Sequence, residues 1–451
     1  MNSQRVSLDQ DSNTRTHDRP LLAGSSVLPF ILVTSLFFFW GIPNNLNDVL
    51  IRQFMKAFPI TRLEAGLVQS AFYMGYFLLA LPSALYMRKL GYKAGFITGL
   101  LLFGAGTLLF WPAAMIGRYS FFLFALFVMA SGLAFLETAS NTFIALSGPQ
   151  ETAERRLNLS QAFNPLGSIS GALLGTTVIF SGIELRPERI HELQVVNQYQ
   201  AYLHFETLRV VRPYLALGCV AIALAVIFAG TALPRLRDET LGNNASEAGA
   251  PAGHLRLLKN RHLLFAICAQ FFYVGAQVGT WSYFIQYVQD YTGQTEKMAG
   301  YFLTGTLAMF GVGRFASAAV MKYVSPARLM GSYCIMNILL LAGAIIHPGW
   351  VGVWAIFLTS FFMSLMYPTI FALGLQGLGA DSKVGGSFIV MAIIGGAILT
   401  PVMGIISDRE KSLAIAYLVP LAGYCVIAGY SLYQEMWRFR PAPRPASTTT
   451  P

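Results

Sequence analysis

Two carboxylates, Asp48 and Glu137, interrupt stretches that are otherwise apolar for several turns. Almost all other acidic residues, including Asp290 and Asp408, fall in tails, loops or segment ends. A carboxylate at the centre of a membrane-spanning helix costs about 2.5–3.5 kcal/mol, so it usually faces a cavity and serves a transport path. An apolar surrounding favours the neutral form of an acid. Glu137 is therefore a candidate to hold a proton and to release it when its surroundings become wet. The structural alternative is a glutamate paired with Arg314 or a backbone donor. The six His all lie in tails, loops or segment ends, so a proton relay here would have to use carboxylates.

Helical spacing gathers polar partners around these acids. Asn44, Asn47 and Asp48 share one face at i, i+3 and i+4, with Asn45 beside them. Glu137, Ser140 and Asn141 repeat that spacing, and Gln161, Asn164 and Ser168 form a third stripe. Gln270, Tyr273, Gln277 and Trp281 make a fourth, with Tyr367 and Phe371 as further aromatics. Any single stripe could be an interhelical hydrogen-bond seam worth about 0.6–2 kcal/mol. Four stripes of amides, acids and aromatic rings point further. Amides and carboxylates bond hydroxyls bidentately, and ring faces suit the C–H faces of a pyranose. The implied ligand is small, polyhydroxylated and uncharged. Arg314, the only deep cation, argues weakly against an anionic one.

The elements that must position these groups are membrane helices. The chain has 451 residues, 55% hydrophobic and 12% charged, against about 25% charged in a soluble domain. Its mean hydropathy is +0.55. Twelve apolar segments are long enough to span a bilayer: 27–57, 62–87, 94–114, 119–147, 157–182, 210–233, 262–289, 298–323, 327–347, 350–377, 384–407 and 413–436. The expected fold is all-α and integral to the membrane, with two six-helix halves, 27–233 and 262–436. The Gly/Ala-rich stretch 234–261 reads as a linker, 1–26 and 437–451 as tails, and 183–209 as a polar loop. The first segment is expected to tilt and bend near Pro43. Its Asn/Asp cluster then lies towards the outer part of the membrane, facing a cavity.

Most of the 31 Lys and Arg fall on the side that holds both termini, which predicts cytoplasmic ends. "TFIAL" (142–146) and "TIFAL" (369–373) occupy corresponding helices, which suggests an internal repeat. The net charge of +10 sits in short loops and does not indicate nucleic acid. Cys219, Cys268, Cys334 and Cys425 lack metal or redox spacing and read as packing residues. The Gly-rich runs Gly167, Gly171, Gly175 and Gly385, Gly386, Gly395, Gly396 read as close-packing surfaces. No phosphate-binding loop and no cofactor or metal motif is present. The expected partners are a sugar, a proton and the lipid bilayer, with the chain acting as a monomer and not as an enzyme.

Several stretches also resemble a known family: "NNLND" (44–48), "GLVQSAFYMGYF" (66–77), "LETASN" (136–141), "RLNLSQAFNPLG" (156–167), "AQFFYVGAQVGTWSY" (269–283), "YPTIFALG" (367–374) and "GSFIVMAIIGGAILTPVMGIISD" (386–408). Together they are similar to the fucose–proton symporter family of major facilitator transporters, from the first helix to the last. The resemblance implies proton-coupled L-fucose uptake by alternating access in a bacterial inner membrane. It implies that Asp48 and Glu137 are essential, one for coupling and one carrying the proton near the sugar, and that Gln161 and Asn164 are the helix-5 amides. The chain departs from the family at Asn141-Thr142, where Asn-Pro is common, and at Asn164-Pro165, where Asn-Ser is common. Glucose, galactose or another hexose is the alternative substrate. A membrane enzyme or a sugar sensor is the alternative class.

Overall fold

The computed structural model describes residues 27–147, 156, 159–183, 187–233, 259–321, 323–376, 378 and 382–438. Both tails (1–26 and 439–451) and most of the linker (234–258) lie outside them. Twelve helices are long and apolar enough to cross a membrane. They are α1 Val27–Ala57, α2 Arg62–Met87, α3 Lys89–Ile116, α4 Tyr119–Ile144, α5 Leu159–Ile179, α6 Tyr199–Gly230, α7 Arg261–Ser282, α8 Glu296–Val320, α9 Pro326–Ile346, α10 Trp350–Gly374, α11 Phe388–Glu410 and α12 Leu413–Met436. Exposed apolar side chains such as Phe315, Leu339 and Trp354 lie on the outside of the bundle, where hydrocarbon can solvate them.

The packing pattern repeats. In the first half α1 lies on α5, α2 on α4 and α3 on α6. In the second half α7 lies on α11, α8 on α10 and α9 on α12. The halves meet where α2 packs on α11 and α5 on α8, contacts related by the same repeat. An even number of spans places the start of α1 and the end of α12 on one face, here the terminal face.

α1 is one helix of 31 residues that continues through Pro43 to Ala57. Proline removes one intrahelical bond there, and close packing against α5 compensates. A Cβ built on Gly167 would clash with the Phe38 carbonyl oxygen, and one on Gly171 with that of Ile42. Backbone thus meets backbone over two turns. Gly167→Ala is expected to lower thermal stability in detergent by about 1–3 kcal/mol through overpacking. An unchanged melting profile would mean that α1 and α5 separate at no cost.

The expected loop 183–209 is a misreading. It holds a helix, Pro187–Val195, and the first eleven residues of α6. Hydropathy took Glu206 as solvated, whereas it is fully buried, with Gln53 Nε2 and Ser181 Oγ donating to its carboxylate. Three of the four cysteines also depart from expectation. Cys334 is packed, but Cys219, Cys268 and Cys425 are exposed, as apolar side chains can be on the outside of a membrane bundle.

Several helices of the second half are broken near the interface. α7 ends at Ser282, turns at Tyr283 and resumes as Phe284–Thr292. α10 breaks between Met363 and Met366, and a break after Met391 precedes the main part of α11. Such breaks free backbone and redirect side chains, and at membrane depth they belong beside protein or a cavity.

Candidate functional site

The polar groups form two layers on the surface between the halves. At 1.5 Å per residue, Asp48 lies about 14 Å along α1 from the face opposite the termini. Glu137 lies about 27 Å along α4 from that same face.

The upper layer is buried. Asp48 is 2% exposed. Asn45 Nδ2 donates to its Oδ2 at 3.1 Å, while Gln69 Nε2 and Ser282 Oγ donate to its Oδ1 at 2.8 and 2.9 Å. Gln69 Nε2 also reaches Ser282 Oγ at 2.9 Å. Asn47 is fully buried and accepts from the Tyr214 hydroxyl at 3.4 Å. The cluster lies in the part of α1 nearer the face opposite the termini. It does not face a cavity there, because α2 and the break in α7 cover it. Only Asn44 stays half-buried, with a buried, unpartnered Oδ1.

The lower layer is more open. Glu137 and Asn141 are half-buried, and Gln161 is exposed with its amide donating to Asn141 Oδ1 at 3.2 Å. Tyr76 lies next to Glu137, and Tyr367 of the other half is within its electrostatic reach. Tyr73 stands between the layers, within reach of Asp48, Glu137 and Tyr367. Arg314 is not the partner of Glu137. It stacks over the Phe310 ring at 4.9 Å and lies near Tyr273 and Tyr367.

The remaining stripe residues divide. Asn164 Nδ2 donates to the Phe37 carbonyl at 3.3 Å, which ties α5 to α1. Tyr273 is fully buried and donates to the Met363 carbonyl, and Trp281 Nε1 donates to Ser360 Oγ at 3.0 Å. The polar atoms of both are thus used inside the second half, at α10. Gln277 is half-buried, and Gln270 is fully buried with neither amide atom partnered.

The face opposite the termini is latched by charges that hydropathy assigned to helix ends. Lys56 Nζ lies 2.8 Å from Glu296 of α8 and 3.2 Å from Glu206 of its own half. Both glutamates are fully buried, and Lys56 also donates to Ser181 Oγ. Arg62 pairs with Asp290 and donates to Ser407 Oγ. Asp408 at the end of α11 accepts from the backbone amides of Arg62 and Leu63, capping α2 from the other half.

Sequence reasoning missed Gln69, Tyr73 and Tyr76, although they fall at i, i+4 and i+7 on α2. That spacing is the same signal that found the other stripes. It also missed Ser282, whose role depends on the break in α7.

Known proteins resemble this chain over most of its length. The Major Facilitator Superfamily model matches residues 30–383. The L-fucose-proton symporter of Escherichia coli (strain K12) is 42% identical over 412 residues, covering 91% of this chain and 94% of that protein. A glucose/galactose transporter of Brucella abortus biovar 1 (strain 9-941) is 32% identical over 406 residues, 89% of this chain and 92% of that one. The crystal structure of the major facilitator transporter FucP in the outward conformation aligns with a TM-score of 0.67 at 40% identity, covering 91% of this chain and 99% of that one. Twelve spans in a repeated packing pattern, with acids on the surface between the halves, have their explanation in these relatives: the chain belongs to the Major Facilitator Superfamily, in its fucose–proton symporter family.

Proposed function

We propose that the chain imports L-fucose together with protons by alternating access. The observation that carries this reading is the interface cluster of Glu137, Tyr76, Asn141, Gln161 and Tyr367, in a chain 42% identical to an L-fucose-proton symporter. In this reading the amides of Asn141 and Gln161 bond sugar hydroxyls, and the Tyr367 ring packs on a C–H face of the pyranose. Glu137 carries the proton beside the sugar. Asp48 couples protonation to the halves, and Tyr73 lies between the two acids. Half-buried Asn44 and Gln277 supply further polar groups, and the buried Gln270 amide does so once the halves part. Asn45, Asn164, Tyr273 and Trp281 act by holding the site's walls, because the amide nitrogens of the first two, the Tyr273 hydroxyl and the Trp281 ring nitrogen already donate within the protein.

Both termini are taken as cytoplasmic, in a bacterial inner membrane. The latched face is then external, and the site opens towards the cytoplasm. Each half, 27–233 and 262–436, moves as one unit about this site, joined by the linker, and a single chain suffices.

The test is uptake of radiolabelled L-fucose into liposomes holding the purified protein, with and without an inward proton gradient. Uptake is expected to require the gradient and to be blocked by unlabelled L-fucose. Uptake indifferent to the gradient overturns symport. Competition by glucose or galactose but not by L-fucose moves the substrate to those hexoses, the activity printed for the Brucella relative.

A further inference from the structure

Asp48 is the acid of the upper layer, and what surrounds it comes from both halves. Asn45 and Gln69 belong to the first half, and Ser282 to the second. Ser282 is the last residue of α7 before the break at Tyr283. A continuous helix there would leave the Ser282 hydroxyl one more member of a regular face. The break, with the Tyr283 hydroxyl donating to the Arg62 carbonyl across the interface, holds this end of α7 against the first half. Ser282 and Gln69 are buried, at 0% and 1% exposure.

We propose that Gln69 and Ser282 form a clasp that carries the protonation state of Asp48 to the second half, making them positioning residues for coupling. This rests on the symport reading, in which Asp48 is the coupling acid. The chemistry is one of donors and acceptors. A carboxylate accepts from Asn45, Gln69 and Ser282 at once. A protonated carboxyl keeps acceptor capacity but gains an O–H donor and loses its charge, so the three charge-assisted hydrogen bonds become neutral ones roughly half as strong. The bond whose weakening frees the halves is the one from Ser282, because Asn45 and Gln69 belong with Asp48 to the first half. Tyr73 on α2 is the ionisable group within reach of Asp48, and it shares that field with Glu137. Asn45 and Ser282, which touch Asp48 from α1 and α7, do not titrate. Acidification therefore loosens the latched face, and loss of the proton favours its closure. By linkage, closing that face favours loss of the proton.

The test uses the full chain with its four cysteines replaced by serine. Spin labels are placed at cysteines introduced at Arg118 and Lys411, exposed positions of the two halves on the latched face. In liposomes the unsubstituted clasp is expected to show a short label distance at high pH and a growing long-distance fraction as pH falls. Ser282→Ala is expected to enlarge the open fraction at high pH roughly tenfold, as loss of a hydrogen bond to a charged group does. It is also expected to flatten the pH dependence, and Ser282→Thr, which keeps the hydroxyl, to restore both. Gradient-driven sugar accumulation by Ser282→Ala is expected to fall by a similar factor, while exchange of labelled for unlabelled sugar continues. A pH profile of the distances in Ser282→Ala that matches the parent overturns the clasp. The distance measurement needs no substrate. A parent that moves no L-fucose but shows the pH-dependent distances defeats the functional reading and leaves the clasp standing.

Discussion

Replacing Glu137 by Gln is expected to abolish accumulation of L-fucose against its gradient while leaving sugar exchange across the membrane. Glutamine matches glutamate in size, keeps a hydrogen-bonding group beside Tyr76 and stays at the half-buried position between α4 and α10. It cannot carry a proton. Downhill exchange needs only a bound sugar and alternation of the halves, so it should persist, and an uphill rate reduced by two orders of magnitude or more corresponds to about 2.7 kcal/mol or more. Asp48→Asn should also lose uphill uptake, for a further reason. Its amide sets new donors against Asn45, Gln69 and Ser282, which already donate to this side chain, and a buried donor left unpaired costs about 1–3 kcal/mol. Parallel assays of gradient-driven uptake and exchange separate the two steps. Wild-type accumulation by Glu137→Gln would remove Glu137 from the proton path.

The second large effect is expected at Lys56. Its ammonium group lies between two fully buried glutamates, one in each half. Lys56→Met removes the cation shared by both carboxylates, and removing one partner of a buried ion pair costs about 3–5 kcal/mol. The loss is tempered by donors that remain: Ser181 and Gln53 for Glu206, and the Gly182 amide for Glu296. Because Glu296 belongs to the other half, the expected result is a lowered melting temperature together with a shift towards an open latched face. A triple variant, Lys56→Met with Glu206→Gln and Glu296→Gln, should recover most of the stability because no buried charge is left unpaired. A single variant as stable and as closed as the parent would show that the lysine holds nothing.

The contrast between these sites shows what could be read in advance. Twelve apolar runs are long enough to predict the bundle, and a lone Glu137 amid apolar turns marks itself. Lys56, Glu206 and Glu296 were hidden because hydropathy treats a charge near the end of an apolar run as the point where the membrane ends. Their pairing, which makes burial affordable, spans up to 240 positions of sequence. Tyr73 and Tyr76 read as ordinary aromatic core until Glu137 and Tyr367 are placed around them. Tyr273 and Trp281 share a stripe with Gln270 and Gln277, yet their polar atoms turn to α10. Periodicity places residues on a face and is silent about which neighbour that face meets.

The capping of α2 has a consequence of its own. Thr61 accepts from the Glu64 amide within the helix's own first turn. The amides of Arg62 and Leu63 depend on Asp408, which belongs to the opposite half. One turn of helix is thus finished by a residue that must leave whenever the latched face opens. The start of α2 is then a different object in the two halves of the cycle: a closed hydrogen-bonded end in one, and in the other a pair of bare amides carrying the helix's partial positive charge into the vestibule. The backbone itself keeps time with transport, and the exchange of two amide hydrogens records how long the door has stood open.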